Sequence, residues 1–245
     1  MVKAHLEIAF EEFIEQHLVA NGWVQGFPAD YSRPLGLDTG QLFTFIGATQ
    51  AEAWDKHVAF KGNADKAQQD FAKRLSSELD ARGTIDVLRR GVKDTGVAFD
   101  LAYFAPAHEL KPELRERYDA NRVTVTRQAP VSESHPLDTV DLLMSVNGIP
   151  VATAELKRQS AGQNIGHAMK QYRTDREAKD LIFRARTVVH FAGDDDSVYT
   201  TTRLAGQDTV FLPFNQGSGE PGQDGGKGNP LNPAGYRTAY LWEQV

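Results

Sequence analysis

Residues Asp138–Lys157 read DTVDLLMSVNGIPVATAELK, and an Asn-Gly pair at 147–148 divides two apolar runs. Such a pair between strand-like runs is a strong hairpin signal, because both residues tolerate positive φ. Strands are therefore expected at Thr139–Val146 and Ile149–Lys157. The constraint lies in the charges these runs carry: Asp141 on the first, Glu155 and Lys157 on the second. Side chains alternate along a strand, so Glu155 and Lys157 point one way while Leu156 packs the other. Val151, Ala152, Ala154 and Leu156 surround them with core-like sequence. Charges placed there need a partner or a metal.

Register decides whether Asp141 joins them. A two-residue turn at Asn147-Gly148 sets Val146 against Ile149, which leaves Asp141 and Glu155 on opposite sides of the sheet. A three-residue loop over 147–149 shifts the pairing by one and sets Asp141 opposite Glu155. Gly148 suits the left-handed position of such a loop, and this second register is the expectation. Facing carboxylates about 5 Å apart repel. A divalent cation turns that cost into a site, since Mg²⁺ takes one or two carboxylates and fills its shell with water and phosphate oxygens. Lys157 could hold a phosphate oxygen or position the attacking water, and the set suits phosphodiester hydrolysis. The plainer alternative is a surface ion pair of Glu155 and Lys157 on an edge strand, with Asp141 capping a turn.

Composition narrows the chemistry. The chain has no cysteine, so any metal must sit on oxygen or imidazole ligands. Its seven histidines are scattered without ligand spacing, and His190 in VVHFAG reads as a satisfied core residue. No run approaches the roughly 18 apolar residues of a membrane span, and acidic residues interrupt the N-terminal apolar pattern, unlike a secretory signal. A cytoplasmic protein fits. A phosphate loop of the G-x-x-x-x-G-K-[ST] type is missing, so ATP hydrolysis by this chain alone is not expected. A net charge of −6 argues against a simple DNA-coating protein. Charge is uneven, however: Leu156–Arg186 holds eight Lys or Arg against three acidic residues. Lys170, Arg173 and Arg176 recur at threes and could form one helical ridge for a DNA backbone, although a solvated helix face is the plainer reading.

Periodicity predicts an amphipathic helix over 6–21, a loop over 26–40 and helices over 49–91 broken at Gly83 and Gly91. Strands are expected at Val97–Phe104 and Arg122–Gln128, with a short helix at Lys111–Asp119 between them. A helix over 162–179 and strands at 186–192, 197–203 and 209–213 follow. The stretch 215–235, with seven glycines and three prolines, reads as a flexible loop. Helices first and strands later favour a mixed sheet flanked by helices. The chain ends inside the patterned AYLWEQV, so it is expected to be a piece of a longer protein.

Asp141, then Glu155-Leu156-Lys157, then a helix bearing Gln171-Tyr172 resemble the PD-(D/E)xK nucleases. FEEFIEQHLVANGW, AELKRQ, KQYRTDR, VVHFAGDDDSVYTTTRLAG, FLPFNQG and NPAGYRTAYLWEQV narrow the resemblance. They are similar to the N-terminal endonuclease domain of the restriction (motor) subunit of type I restriction–modification enzymes, over most of the chain. The resemblance implies an α/β fold with a restriction-endonuclease-like PD-(D/E)xK core, its mixed central sheet flanked by helices, and a helical insertion. It implies a single nuclease domain over 1–245, with the insertion at 35–95 packing against the motor. Residues 236–245 would begin the linker to helicase-like motor domains.

The resemblance also implies roles. Asp141 and Glu155 would ligate Mg²⁺, Lys157 would be the catalytic lysine, and Glu7 or Glu11 a supporting acid. The family's Q-x-x-x-Y motif is matched at Tyr172, but Ala168 stands four residues before it and the glutamine is Gln171. Arg158, Lys170, Gln171, Tyr172, Arg173 and Arg176 would contact double-stranded DNA. ATP would enter only through the motor domains, and sequence recognition and methylation would belong to partner specificity and methyltransferase subunits. Cutting would be non-specific, at stalled translocation, and the isolated domain would cleave poorly. The alternative is a catalytically silent, nuclease-like module that docks nucleic acid or a partner.

Overall fold

The computed structural model describes residues 2–107, 111–215 and 232–244, with the side chains of 2–7 and 244 outside the description. Most of the expected 215–235 loop lies outside the described residues. Helix α1 (Val2–Ala20) leads into strand β1 (Val24–Gln25) and a small hairpin, β2 (Tyr31–Ser32) and β3 (Leu37–Asp38). The expected loop over 26–40 thus contains structure. Next come α2 (Thr39–Thr49), α3 (Ala51–Lys61), α4 (Ala64–Arg82) and α5 (Thr84–Arg90), then the hairpin β4 (Val92–Asp94) and β5 (Val97–Phe99). Helix α6 (Pro112–Asp119) precedes the main strands β6 (Val123–Pro130), β7 (Thr139–Val146) and β8 (Ile149–Leu156). The chain continues through α7 (Ile165–Lys170), a π-helical turn at Gln171–Asp175, and α8 (Leu181–Ala185). It finishes with β9 (Val189–Gly193), β10 (Val198–Thr201), β11 (Leu212–Pro213) and α9 (Ala239–Gln244).

Seven strands form one mixed sheet in the order β1-β6-β7-β8-β9-β10-β11. The pairs β1/β6 and β8/β9 are parallel, and the remainder antiparallel. Phe10, Ile14 and Leu18 recur at four-residue steps on α1 and are buried against Val125, Leu142, Ala152, Ala154 and Leu156. On the opposite face Val140, Leu143 and Ala192 pack with Ala168, Tyr172, Ile182 and Phe183 of the α7–α8 segment. Strand β8 is buried on both sides, which explains its near-continuous apolar run.

The helices α2–α5 bury Leu42, Phe45, Ile46, Phe71, Leu75 and Leu79 in a further cluster that also takes in Ile149 from β8. Each such side chain contributes about 1.5–3 kcal/mol of burial. The tip of the β7–β8 hairpin therefore reaches into the helical layer. Asp38 caps α2 by accepting from the Gln41 amide at 2.9 Å, and its own N–H donates to the Gly148 carbonyl at 2.9 Å. Arg186 is fully buried and donates to the Leu35 carbonyl, to Asp80 and to Ser76, tying α4 to the segment before β9.

Two further expectations change. The strand over Val97–Phe104 ends at Phe99. Thr95 and Gly96 both have positive φ and fold it back on β4, and beyond it side-chain amides replace a strand partner. Gln50 pairs with both backbone groups of Asp100, and Asn121 does the same for Tyr103. The helix over 162–179 is shorter, running as α7 and a π-helical turn that ends before Arg176.

Asn147 and Gly148 have φ of 52° and 79°, the signature of a two-residue turn matched to strand twist. A Cβ on Gly148 would lie 2.2 Å from the Asp38 carbonyl oxygen, whereas one on Gly22 (φ 95°) would meet open space. Alanine at either position carries the left-handed penalty of about 1–2 kcal/mol, and at 148 the clash adds about 1–3 kcal/mol. Urea unfolding should therefore show Gly148→Ala losing clearly more stability than Gly22→Ala. Equal losses would contradict the packing of the turn on α2.

Candidate active site

The turn just described is not the three-residue loop expected from sequence. Val146 pairs with Ile149 and Ser145 with Pro150, the register that would separate Asp141 from Glu155. The ladder then slips: Met144 pairs with Ala152, Leu143 with Thr153 and Leu142 with Ala154, leaving Val151 as an extra residue. Pro150 lies at this slip, and proline within a sheet is found at edges and bulges. Carried one step further, the shifted register sets Asp141 level with Glu155. The expected juxtaposition forms, by a β-bulge within the strand rather than by the turn.

At this end of the hairpin Asp141 Oδ2 accepts from the Leu156 amide at 2.7 Å and lies 3.9 Å from Lys157 Nζ. Glu155 is fully buried; Arg176 Nε donates to its Oε1 at 2.7 Å, and its Oε2 is a buried oxygen with no hydrogen-bond partner among the described residues. Gln128 adds a third acid. Its Nε2 donates to Glu11 Oε1 and Oε2 at 3.1 and 3.0 Å and to Asp141 Oδ1 at 3.2 Å, while its Oε1 accepts from Thr139 Oγ1 at 2.7 Å. Gln128 holds φ at 49°, a strained backbone for a non-glycine residue. Arg127 lies 3.6, 3.3 and 3.5 Å from Glu11, Glu12 and Glu15.

Burial, and then the Asp141 charge, push the Glu11 carboxyl up to about 7. The same two causes raise Glu155, opposed by Arg176 and Lys157. The acids are thus crowded beyond what nearby cations relieve. Glu11 and Asp141 border an open cleft of about 530 Å³ whose wall also includes Gln128, Lys157, Gln171 and Arg176, with Glu155 buried behind it. Among the described residues no group of three or more His, Asp or Glu side chains is arranged to hold a metal. Asp141 and the orphaned Oε2 of Glu155 nonetheless fit a Mg²⁺ ion, which needs only one or two carboxylates.

Residues 7–209 match the family model of the type I restriction enzyme R protein N terminus. The chain belongs to this family. Among curated proteins none matches it. A mixed seven-stranded sheet flanked by helices agrees with the PD-(D/E)xK nuclease-like fold of an R-protein N-terminal domain.

The remaining expected residues of this R-protein N-terminal domain are placed unevenly. Glu11 reaches the cleft, whereas the Glu7 side chain lies outside the described residues. Gln171 lines the cleft, although its spacing to Tyr172 departs from Q-x-x-x-Y; Ala168, at the motif position, is fully buried in the core. Tyr172 is not positioned to touch DNA. It is fully buried, and its hydroxyl shares a hydrogen bond of 2.8 Å with Thr153. The basic ridge does not form either, because the π-helical turn breaks the three-residue spacing. Lys170 is exposed on α7. Arg173 donates to the Thr209 carbonyl and covers the Phe211 ring, and Arg176 turns in to Glu155. Arg158 lies over the Tyr236 ring, 5.4 Å from its centroid.

Sequence reasoning missed Gln128 and Arg127. Their only signal was a position at the end of an alternating strand next to the hairpin that carries Asp141. His190, expected in the core, is fully buried and bonded through Nδ1 to Thr153 at 2.8 Å. Burial lowers its imidazolium to about 4, from an ordinary value of 6.5. The unfolded chain therefore binds a proton that the fold refuses, and stability falls as pH drops from 6.5 through 4. The loss amounts to about 3 kcal/mol at most. In urea unfolding, His190→Asn should lose less stability between pH 7 and pH 4 than wild type. The same acid dependence in both proteins would contradict this account of His190.

Proposed function

We propose that the chain is the nuclease domain of a type I restriction enzyme R subunit, cleaving DNA phosphodiester bonds with Mg²⁺. The observation that carries this reading is the meeting of Asp141, Glu155 and Lys157 at one end of the hairpin, with Asp141 and Lys157 on the wall of an open cleft and one buried Glu155 oxygen without a hydrogen-bond partner among the described residues. Asp141 and Glu155 would hold the ion. When bound, it would supply Lewis-acid charge and a water of lowered pKa.

The chain's own residues do the rest. The Leu156 amide fixes Asp141 Oδ2, and Gln128 fixes Asp141 Oδ1 while keeping Glu11 in line. Lys157 extends its ammonium along the same wall, where it can hold a phosphate oxygen as negative charge builds on it. Gln171 offers an amide to the DNA backbone from the opposite element. The overall charge of −6 suits a domain to which DNA is delivered. Helicase-like motor domains would do this with ATP, and specificity and methyltransferase subunits would choose the site. Cutting would then be non-specific, where translocation stalls. Among the described residues no helix is long and apolar enough to cross a membrane.

The ion pair of Arg176 with Glu155 is the one observation favouring the alternative, a silent docking module. Substitution separates the two. In the complete enzyme, Asp141→Ala, Glu155→Ala and Lys157→Ala should each reduce cleavage by about 10²-fold or more, the scale of losing a transition-state charge partner. DNA-dependent ATP hydrolysis should be unchanged in the same preparations. Cleavage that survives all three substitutions would establish the module, and parallel loss of ATPase would show the residues to be structural.

A further inference from the structure

Asp141 and Glu155 each already have a cation. Lys157 Nζ stands 3.9 Å from Asp141 Oδ2, and Arg176 Nε donates to Glu155 Oε1 at 2.7 Å. Each of the two carboxylates thus has a cation beside it, and the Glu155 oxygen that faces Arg176 is already engaged. The Arg176 contact is not a loose surface pair: its side chain is 7% exposed, Glu155 is fully buried, and Nη2 donates to the Thr139 carbonyl at 2.6 Å. Yet Arg176 is no core residue of a helix. It follows the π-helical turn in extended backbone, φ −109° and ψ 131°, on the wall of the cleft beside Gln171. A guanidinium fork there matches a phosphate as well as it matches a carboxylate.

Resting on the reading of Asp141 and Glu155 as metal ligands, we infer that Arg176 is the resident counter-cation of Glu155, a positioning residue that divalent metal must displace. Metal loading is thereby coupled to DNA. An incoming phosphate takes the guanidinium over, which frees Glu155 Oε1. Without DNA Glu155 Oε1 stays held by Arg176 and the site binds metal weakly. A purely structural ion pair predicts the opposite consequence of removal, because a buried carboxylate without its partner disorders its surroundings.

Mn²⁺ titration of the 245-residue chain, followed by the electron paramagnetic resonance of free Mn²⁺, distinguishes these. In the absence of DNA, Arg176→Gln should bind Mn²⁺ about tenfold tighter than wild type or more, the effect of removing a like charge within a few ångströms. Arg176→Lys, which keeps the charge, should stay near wild type. A short phosphorothioate duplex should tighten Mn²⁺ binding by wild type much more than by Arg176→Gln. Unchanged or weaker binding by Arg176→Gln without DNA overturns the role of Arg176. Should Arg176→Gln fail to fold alone, recovery of its circular dichroism on adding Mn²⁺ supports the inference, and no recovery overturns it. Glu155→Gln keeps the two failures apart: Mn²⁺ binding insensitive to that substitution overturns the metal site itself, and the role of Arg176 with it.

Discussion

The pairing of β7 with β8 breaks after Ser145 and Pro150 and resumes one residue late, at a proline of the kind that sheets accept at edges and bulges. That displaced residue, Val151, is half-buried, and its carbonyl is used by the Val188 amide at 2.8 Å, so the bulge is stitched to the approach of β9. Below the bulge the strands follow the tight turn, whose tip is locked on α2 by Asp38. Above it every side chain has changed its cross-strand partner, and a slip of one residue reverses which faces coincide. Asp141 and Glu155 share a side only because of this. The apolar layers on both faces of β8 then hold the arrangement rigid.

The same geometry explains why the acids are crowded and yet tolerated. Asp141 is satisfied by the Leu156 amide, Lys157 and Gln128, and Glu11 by Gln128 and Arg127. Among the described residues Glu155 is satisfied on one oxygen only. Burying a carboxylate with an unpaired oxygen costs stability, so its presence argues for a use that the closed ion pair with Arg176 does not exhaust. The strained φ of Gln128 belongs to the same pattern, since this residue joins two acids at the cleft.

Much of this was legible in the sequence, for identifiable reasons. The Asn-Gly hairpin, the period-2 pairing of Glu155 with Lys157 and the mixed sheet follow from local turn chemistry and alternation. The register was right in outcome and wrong in cause. The bulge at Val151 has no local signature beyond Pro150, a residue that marks edges and bulges alike. The Lys170–Arg173–Arg176 ridge failed because regular helix spacing was assumed across a π-helical turn, and Tyr172 because a tyrosine hydroxyl can be satisfied within a core, here by Thr153. Contacts that span the chain, such as Gln128 with Glu11 or Arg186 with Leu35, have no local signature. They depend on which element the sheet order brings beside which.

The most direct test of the central claim is anomalous diffraction from a crystal of the chain with Mn²⁺ and a non-cleavable duplex. The account predicts an anomalous peak about 2.0–2.3 Å from carboxylate oxygens of both Asp141 and Glu155, with a DNA phosphate alongside and Arg176 turned toward it. DNA seated in the cleft without a peak between these two residues, or with the ion bound elsewhere, would contradict it.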